Sequence, residues 1–80
     1  MITREPECAV IIPAFNEQGA VRRVVHSVKR VTTSPVWVID DHSTDRTAVE
    51  ASKAGARVIR LPEQLGAWGA VQTGLREAAR

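Results

Sequence analysis

Three short apolar runs alternate with polar, helix-like segments, and this alternation constrains the fold more than any other feature. The runs are AVII at positions 9–12, VWVI at positions 36–39 and RVIRL at positions 57–61. Continuous apolar runs of this length are typical of parallel strands buried on both faces. Strands that alternate with helices require right-handed crossovers, and hence a parallel sheet. We therefore predict an α/β fold, a Rossmann-like parallel three-stranded sheet with flanking helices.

The segment after the first run has the spacing of an amphipathic helix that begins at Glu17. Valines recur every three or four positions, and basic residues fill the opposite side: Val21, Val24, Val25, Val28 and Val31 against Arg22, Arg23, His26, Lys29 and Arg30. Asn16 is the predicted N-cap, because its side-chain oxygen can accept free backbone N–H groups. Glu17 then suits the positive end of the helix dipole.

A second helix is predicted after the acidic segment VIDDHSTDRT. Ser43 and Thr44 are its possible N-caps, and Asp45 suits its first turn. The helix is predicted to end at about Lys53, with Gly55 at the left-handed position that follows many helices.

A third helix is predicted from Ala67 to Arg80. The small residues Ala70 and Gly74 lie on its apolar stripe, so they allow close approach to a neighbouring element. No Gly, Asn or Pro terminates this helix and no strand follows it. We therefore expect residues 1–80 to form a single, partial domain.

The composition excludes several classes of protein. Apolar residues make up 44 % and charged residues 25 %, as in ordinary globular domains. The net charge is +2 and the cations are scattered among acids, so no nucleic-acid-binding face is expected. The longest apolar stretch, Cys8 to Phe15, is too short for a signal peptide or a membrane span. Cys8 is the only cysteine, so we expect it to pack in the core of a protein from a reducing compartment, the cytoplasm.

Polar residues follow the first two predicted strands. Asn16 and Glu17 come after the first strand, and Asp40 and Asp41 come directly after the second. Ligands of parallel α/β sheets bind outside the carboxyl ends of the strands, so these residues mark a candidate site. The sequence has neither G-x-G-x-x-G after the first strand nor a Gly-rich loop that ends in Lys-Ser/Thr, which argues against a dinucleotide or phosphate-loop enzyme.

Three motifs in this order, VIIPAFNE, VIDDHSTDRT and LGAWGAVQTG, resemble the start of the family 2 glycosyltransferases. The resemblance covers residues from about Ala9 to Arg80. It implies the GT-A nucleotide-sugar fold, of which this chain would be the N-terminal half. It also implies that the partner is a nucleotide sugar, in particular a UDP-sugar.

The resemblance assigns roles to individual residues. Pro13, Phe15 and Glu17 would line the nucleoside pocket, with Glu17 near the ribose hydroxyls. Ile39 and Asp41 would hold the base, and the Asp41 carboxylate would accept a hydrogen bond from the imide N–H of uracil. A charged acceptor strengthens that bond and rejects bases that present an acceptor there.

Three residues are secondary candidates at the same site. Asp40 is interpreted chiefly as a residue that holds its turn by accepting loop N–H groups. Ala14 lies beside the predicted pocket residues. His42 stands where the family most often has Gly; we expect it to face solvent, with ligand contact as the alternative.

The resemblance implies that the parent enzyme transfers a sugar to an acceptor hydroxyl with inversion. In the family, an Asp-x-Asp element after a fourth strand holds Mg²⁺ or Mn²⁺ on the diphosphate, and a later carboxylate acts as the base. Neither element is present in this sequence. We therefore expect no catalytic residue, no metal site and no turnover from this chain, and a cytoplasmic parent that can also lie at the cytoplasmic face of a membrane.

Two other functions stay open at this point. One is a non-catalytic module that binds a nucleotide or a partner chain. In the resembled fold the first strand lies between the second and a fourth, so its edge would be unpaired here and self-association is expected. The other is a receiver-like signalling domain, which also has paired acids. It needs a phosphoacceptor Asp at a later strand end, and RVIRLPEQ offers none.

Overall fold

A computed structural model describes residues 9–78 of the chain. It contains three strands and three helices, which alternate along the chain: β1 Val10–Ala14, α1 Val21–Val31, β2 Val36–Asp40, α2 Thr47–Lys53, β3 Arg57–Arg60 and α3 Gly66–Ala78. The predicted α/β class with a parallel three-stranded sheet is confirmed. The predicted packing of Cys8 and the predicted end of the third helix at Arg80 lie outside the described residues.

The sheet has the order β1-β2-β3, so β2 is the central strand. Ala14 of β1 lies opposite Asp40 of β2, which in turn lies opposite Arg60 of β3. The carboxyl ends of all three strands therefore meet at one edge. Within residues 9–78, β1 pairs only with β2, as expected for a strand with an open edge. Self-association through that edge stays a prediction.

Burial on both faces, which was predicted for the apolar runs, holds for the central strand only. In β2, Val36, Val38 and Ile39 are at most 2 % exposed. β1 is half-buried over most of its length, and β3 is half-buried at its two central residues and exposed at both ends; each has one neighbouring strand. Pro13 was expected to end the first strand but lies within it. An edge strand tolerates proline because one of its two sides needs no ladder N–H.

The helices pack on opposite faces of the sheet. Residues of α1 and α2 form one apolar cluster with every second residue of the strands. This cluster includes Val25, Val38 and Ala51. The strand residues that point the other way, including Ile39, pack with Ala70 of α3 in a second cluster. Within residues 9–78, no helix has the length and apolar character needed to cross a membrane.

The first helix begins four residues later than predicted. Its first residue is Val21, and its N-cap, Ala20, makes no side-chain capping bond. The carbonyl of Glu17 instead accepts the N–H groups of Ala20 at 2.9 Å and Val21 at 2.8 Å, which forms a turn before the helix. The prediction that Asn16 caps α1 is therefore wrong.

The second helix ends as predicted but begins differently. Gly55 has φ of 100° and donates to the carbonyl of Ser52, while Ala56 donates to the carbonyl of Ala51, which is the pattern of a Schellman motif. At the other end, the N–H of Thr47 donates to Oδ1 of Asp45 at 2.9 Å.

The two predicted N-caps of this helix are wrong. Ser43 and Thr44 lie ahead of its first turn, which begins at Thr47. Their side chains bond to the β1–α1 loop instead, so they are no longer available to the helix.

Gly74 brings α3 into direct contact with the sheet, as the small-residue stripe predicted. A Cβ added there would lie 2.6 Å from Cγ2 of Ile11 and 3.1 Å from Cγ1 of Ile39. These distances are shorter than ordinary van der Waals contact, so only glycine fits without movement of the sheet residues.

We predict that Gly74→Ala destabilises the fold. Overpacking costs about 1–3 kcal/mol, whereas the gain in helix propensity is about 1 kcal/mol, so the free energy of unfolding should fall by up to about 2 kcal/mol. Urea denaturation followed by circular dichroism measures the change. Gly19→Ala is the matched control, because no atom lies within 4 Å of its added Cβ. Equal stability of the two variants would contradict this packing.

Candidate functional site

The candidate site is the edge of the sheet where the three strands end. We call it the rim and define it as residues 13–18, 40–47 and 60–66, which comprise the carboxyl ends of β1, β2 and β3 and the segments that follow them. Loops of this kind position ligands in parallel α/β folds. The rim contains all the sequence-predicted site residues except Ile39.

The loops after β1 and β2 are joined by reciprocal hydrogen bonds. The N–H of Asn16 donates to Oγ of Ser43 at 2.9 Å, and the N–H of Thr44 donates back to Oδ1 of Asn16 at 2.9 Å. Asn16 adopts a left-handed conformation with φ of 52°, which asparagine tolerates better than most residues. The side chain predicted to cap α1 is thus used to hold the second loop.

The same pattern continues one step further along both loops. The N–H of Gln18 donates to Oδ2 of Asp45 at 3.2 Å, and the N–H of Arg46 donates to Oε1 of Gln18 at 3.0 Å. The hydroxyl of Thr47 accepts the N–H of Glu17 at 2.9 Å and donates to Oδ1 of Asp45. The Ser/Thr/Asp cluster therefore joins two loops, and only Asp45 also supports the start of α2.

Asp40 holds the turn after β2, as its interpretation from the sequence proposed. Its side chain is buried, and Oδ1 accepts the N–H of Ser43 at 3.1 Å. Nε of Arg60 lies 3.6 Å from Oδ2 of Asp40, and Nη2 of Arg60 donates to the carbonyl of Ser43 at 2.8 Å. Arg60 was missed from the sequence, although a cation at the end of β3 beside an acid pair was the available signal.

Asp41 fastens the start of α3. Asp41 is 4 % exposed, and its two carboxylate oxygens accept the N–H groups of Leu65 at 2.6 Å and Gly66 at 2.8 Å. The N–H of Asp41 donates to the carbonyl of Ala14 at 2.8 Å, which ties the same residue to β1. An ionised carboxylate has about four acceptor positions, so these two bonds do not use all of them.

Three of the predicted pocket residues line one small cavity. Pro13, Ala14 and Glu17 enclose, with residues of β1 and the start of α1, a volume of about 250 Å³. This is below the range of roughly 300–1,000 Å³ that is usual for ligand pockets. Phe15 is 39 % exposed beside them. A nucleoside at this position would lie partly open to solvent.

Two predicted site residues are placed differently from the others. Ile39 is fully buried in the central strand beneath α3, so no part of it is exposed to a ligand at the rim. His42 is exposed, as expected, and its Nδ1 lies 3.3 Å from the carbonyl oxygen of Leu61, to which it can donate. Its φ of 65° is left-handed, which explains physically why glycine suits this position.

The carboxylates of the acid pair at the rim are engaged by protein donors. Within residues 9–78, no group of three or more His, Cys, Asp or Glu side chains comes together. Both oxygens of Asp41 accept backbone N–H groups, while the oxygens of Asp40 face Ser43 and Arg60. The acid pair therefore does not fit a metal such as Mg²⁺, which prefers several free oxygen ligands.

Asp45 titrates below its ordinary range. The hydrogen bond from the Thr47 hydroxyl, with the N–H groups of Thr47 and Gln18, stabilises the ionised form and lowers the pKa of Asp45 from its usual 3.8. The main cause, the Thr47 hydroxyl, lies in the same segment as Asp45, and the Gln18 N–H of the β1–α1 loop makes a smaller contribution.

The geometry and the sequence agree with one known family. The model of glycosyl transferase family 2 matches residues 9–80. The chain belongs to this family. Its three parallel strands and flanking helices match the GT-A glycosyltransferase structures, which confirms the resemblance seen in the three motifs. Membership of this family argues against the receiver-like alternative.

Among curated proteins, the chain is similar to RfbJ of Shigella flexneri. The two are 46 % identical over 55 residues, which cover 68 % of this chain and 43 % of RfbJ. It is also 37 % identical over 62 residues to glucosyl-3-phosphoglycerate synthase of Mycolicibacterium smegmatis, covering 69 % of this chain and 20 % of that enzyme. The chain thus spans less than half the length of these family members.

Solved structures of glucosyl-3-phosphoglycerate synthase from Mycobacterium tuberculosis share the fold. One is a complex with Mn²⁺, UDP-glucose and phosphoglyceric acid; its TM-score is 0.79 at 26 % identity, over 91 % of this chain and 29 % of that chain. A second holds UDP, with the same TM-score and identity, over 91 % of this chain and 30 % of that chain. Both complexes of that enzyme contain a uridine nucleotide.

The lowered pKa of Asp45 predicts an acid-labile contact at the rim. Because the folded pKa lies below the unfolded one, the ionised carboxylate stabilises the fold above pH 3.8. This contribution is lost as the pH falls below that value towards the folded pKa. Thermal unfolding between about pH 5 and pH 2 should show a shallower acid loss in Asp45→Asn than in the unaltered chain. Glu63→Gln, at an exposed carboxylate, should keep the original slope. Equal slopes for Asp45→Asn and the unaltered chain would refute the assignment.

Proposed function

We propose that this chain binds the nucleoside of a nucleotide sugar, and in particular of a UDP-sugar, at the rim. The observation that carries the proposal is the carboxylate of Asp41. Two backbone N–H groups orient it, it lies at the carboxyl end of the central strand, and it keeps acceptor positions for one further N–H. A fixed, charged acceptor of this kind suits the imide N–H of uracil.

The other proposed ligand contacts surround Asp41 along the loops after β1 and β2. Glu17 is exposed at the cavity of β1 and offers a carboxylate to ribose hydroxyls, while Pro13 and the half-exposed face of Phe15 supply apolar surface. The backbone of Ile39 precedes the acid pair. Ala14, Asp40 and His42 support this arrangement from the strand ends.

The reciprocal bonds between the two loops supply preorganisation. The backbone N–H groups of Asn16, Glu17 and Gln18 are all held by side chains of the β2–α2 loop. A ligand at the rim therefore need not order these residues when it binds, which lowers the entropic cost of binding. The family's solved complexes with UDP and UDP-glucose support the choice of uridine.

For the whole protein we propose transfer of the sugar to an acceptor hydroxyl with inversion. The described residues hold neither a metal site nor a free carboxylate pair for that reaction, so we propose that the chain by itself binds without turnover. Mg²⁺ or Mn²⁺ would act on the diphosphate in the whole protein, through residues other than these. Incubation with UDP-glucose and Mn²⁺ should release no UDP. Release of UDP at the rate of an active transferase would overturn this part of the proposal.

We predict that the base contact can be measured with a methylated ligand. If Asp41 accepts the imide N–H, 3-methyl-UDP should bind about 10- to 100-fold more weakly than UDP, since a hydrogen bond to a charged group contributes about 1.5–3 kcal/mol. Isothermal titration calorimetry of the 80-residue chain measures both affinities. Chelation of divalent cations with EDTA should leave them unchanged.

A matched variant separates the ligand contact from the structural role of Asp41. Asp41→Ala also frees the N–H groups of Leu65 and Gly66, so weaker UDP binding alone would be ambiguous. In this variant the difference between UDP and 3-methyl-UDP should vanish, whatever the overall loss. Asp45→Ala, which weakens the loop contact, should keep the difference. Equal binding of the two ligands by the unaltered chain would contradict the role of Asp41.

A further inference from the structure

Arg60, the last residue of β3, holds both ends of the turn that follows β2. Its Nη2 donates to the carbonyl of Ser43 at 2.8 Å, and its Nε lies 3.6 Å from Oδ2 of Asp40. Asp40 closes the same turn, since its Oδ1 accepts the N–H of Ser43 at 3.1 Å. The backbone N–H and C=O of Ser43 are thus both fixed, from the ends of two different strands.

The charge of Arg60 is also needed beneath the turn. Asp40 is 1 % exposed, and among residues 9–78 Arg60 is the one cation within ion-pair distance of its carboxylate. A buried carboxylate without a counter-charge is costly. The planar guanidinium meets this need and still has a second donor for the Ser43 carbonyl, which a lysine ammonium on a flexible stem does less well. Arg60 therefore supplies both a charge and a fixed direction.

The fixed Ser43 sets the conformation of the β1–α1 loop. Ser43 is buried, and its Oγ accepts the N–H of Asn16 at 2.9 Å. Asn16 adopts its left-handed φ of 52° at this contact. It lies between Phe15 and Glu17, the residues proposed to contact the nucleoside. A continuous set of hydrogen bonds therefore connects the end of β3 with the loop that carries Glu17.

We propose that Arg60 is a positioning residue for recognition of the ribose. Through Ser43 and Asn16 it sets the place of the Glu17 carboxylate, and hence the preference of the site for a ribonucleotide over a deoxyribonucleotide. Recognition of the base depends on Asp41, which is held separately at the start of α3. This role rests on the proposed nucleoside site, to which Arg60 contributes through other residues and not by contact with the ligand.

Two ratios of dissociation constants test this role. The ribose ratio compares 2′-deoxy-UDP with UDP, and the base ratio compares 3-methyl-UDP with UDP. In the unaltered chain the ribose ratio should be about tenfold, from one hydrogen bond to a charged group. In Arg60→Gln it should fall below about threefold, because a hydrogen bond between misaligned groups weakens steeply, while the base ratio stays unchanged. Partial unfolding lowers the affinity for all three ligands by the same factor, so it changes neither ratio.

Arg57→Gln is the matched control. It removes one positive charge from the opposite end of β3, where Arg57 lies over the Trp37 ring. Both ratios should stay as in the unaltered chain. If circular dichroism shows that Arg60→Gln does not fold, Asp40→Asn/Arg60→Gln replaces it. The double variant leaves no unpaired buried charge but still frees the Ser43 carbonyl, so its ribose ratio should fall in the same way.

A measurement without ligand separates this role from the proposed function. In the Arg60 variant, hydrogen exchange of the Asn16 amide should accelerate by a larger factor than that of Val38, which reports global unfolding from the central strand. If the unaltered chain does not bind UDP, the proposed function fails, and this comparison alone decides whether Arg60 positions the loop.

Three results would overturn the role of Arg60. They are an unchanged ribose ratio in a folded Arg60 variant, an equal fall of the ribose and base ratios, and equal acceleration of exchange at Asn16 and Val38. The second result would show a general loosening of the rim, and the third a loss of global stability only.

Discussion

The interaction on which the rest of the structure depends is the exchange of hydrogen bonds between the loops after β1 and β2. Each loop supplies side chains that accept backbone N–H groups of the other, through Asn16 and Gln18 on one side and Ser43, Asp45 and Thr47 on the other. These N–H groups lie outside helices and strands and need partners. With the exchange in place, the two loops at adjacent strand ends form one fixed surface on which α1 and α2 begin.

The acid pair at the end of β2 extends this organisation to the third strand. Adjacent strand residues point to opposite sides, so Asp40 and Asp41 serve different neighbours. Asp40 meets Ser43 and the Arg60 guanidinium, whereas Asp41 holds the start of α3. The residue proposed to read the base is thus also a structural anchor. A buried carboxylate with a fixed orientation recognises a base better than a mobile one, because its geometry is set before the ligand binds.

Local patterns were sufficient to predict the strands, the class of the fold, the left-handed Gly55 and the close approach at Gly74. Hydrophobic periodicity, and the residues that end helices and strands, depend on only a few neighbouring residues. They can therefore be recognised in a single sequence. The role of Asn16 could not be predicted in this way, because its partner Thr44 is 28 residues distant. Leu65 is likewise 24 residues from Asp41. The motif resemblance indicated that the candidate site lies at the rim. Only the fold shows which side chains there already form hydrogen bonds within the protein.

The central claim is that the rim is a preformed nucleoside site. A titration of the ¹⁵N-labelled chain with UDP, followed through its backbone amide resonances, tests it most directly. The amides of Glu17, Asp41, Leu65 and Gly66 should shift together with a single affinity, while those of Arg23 and Arg30 in α1 stay unchanged. Shifts confined to Arg23 and Arg30, or the absence of any shift at the rim at saturating UDP, would contradict a nucleoside site there.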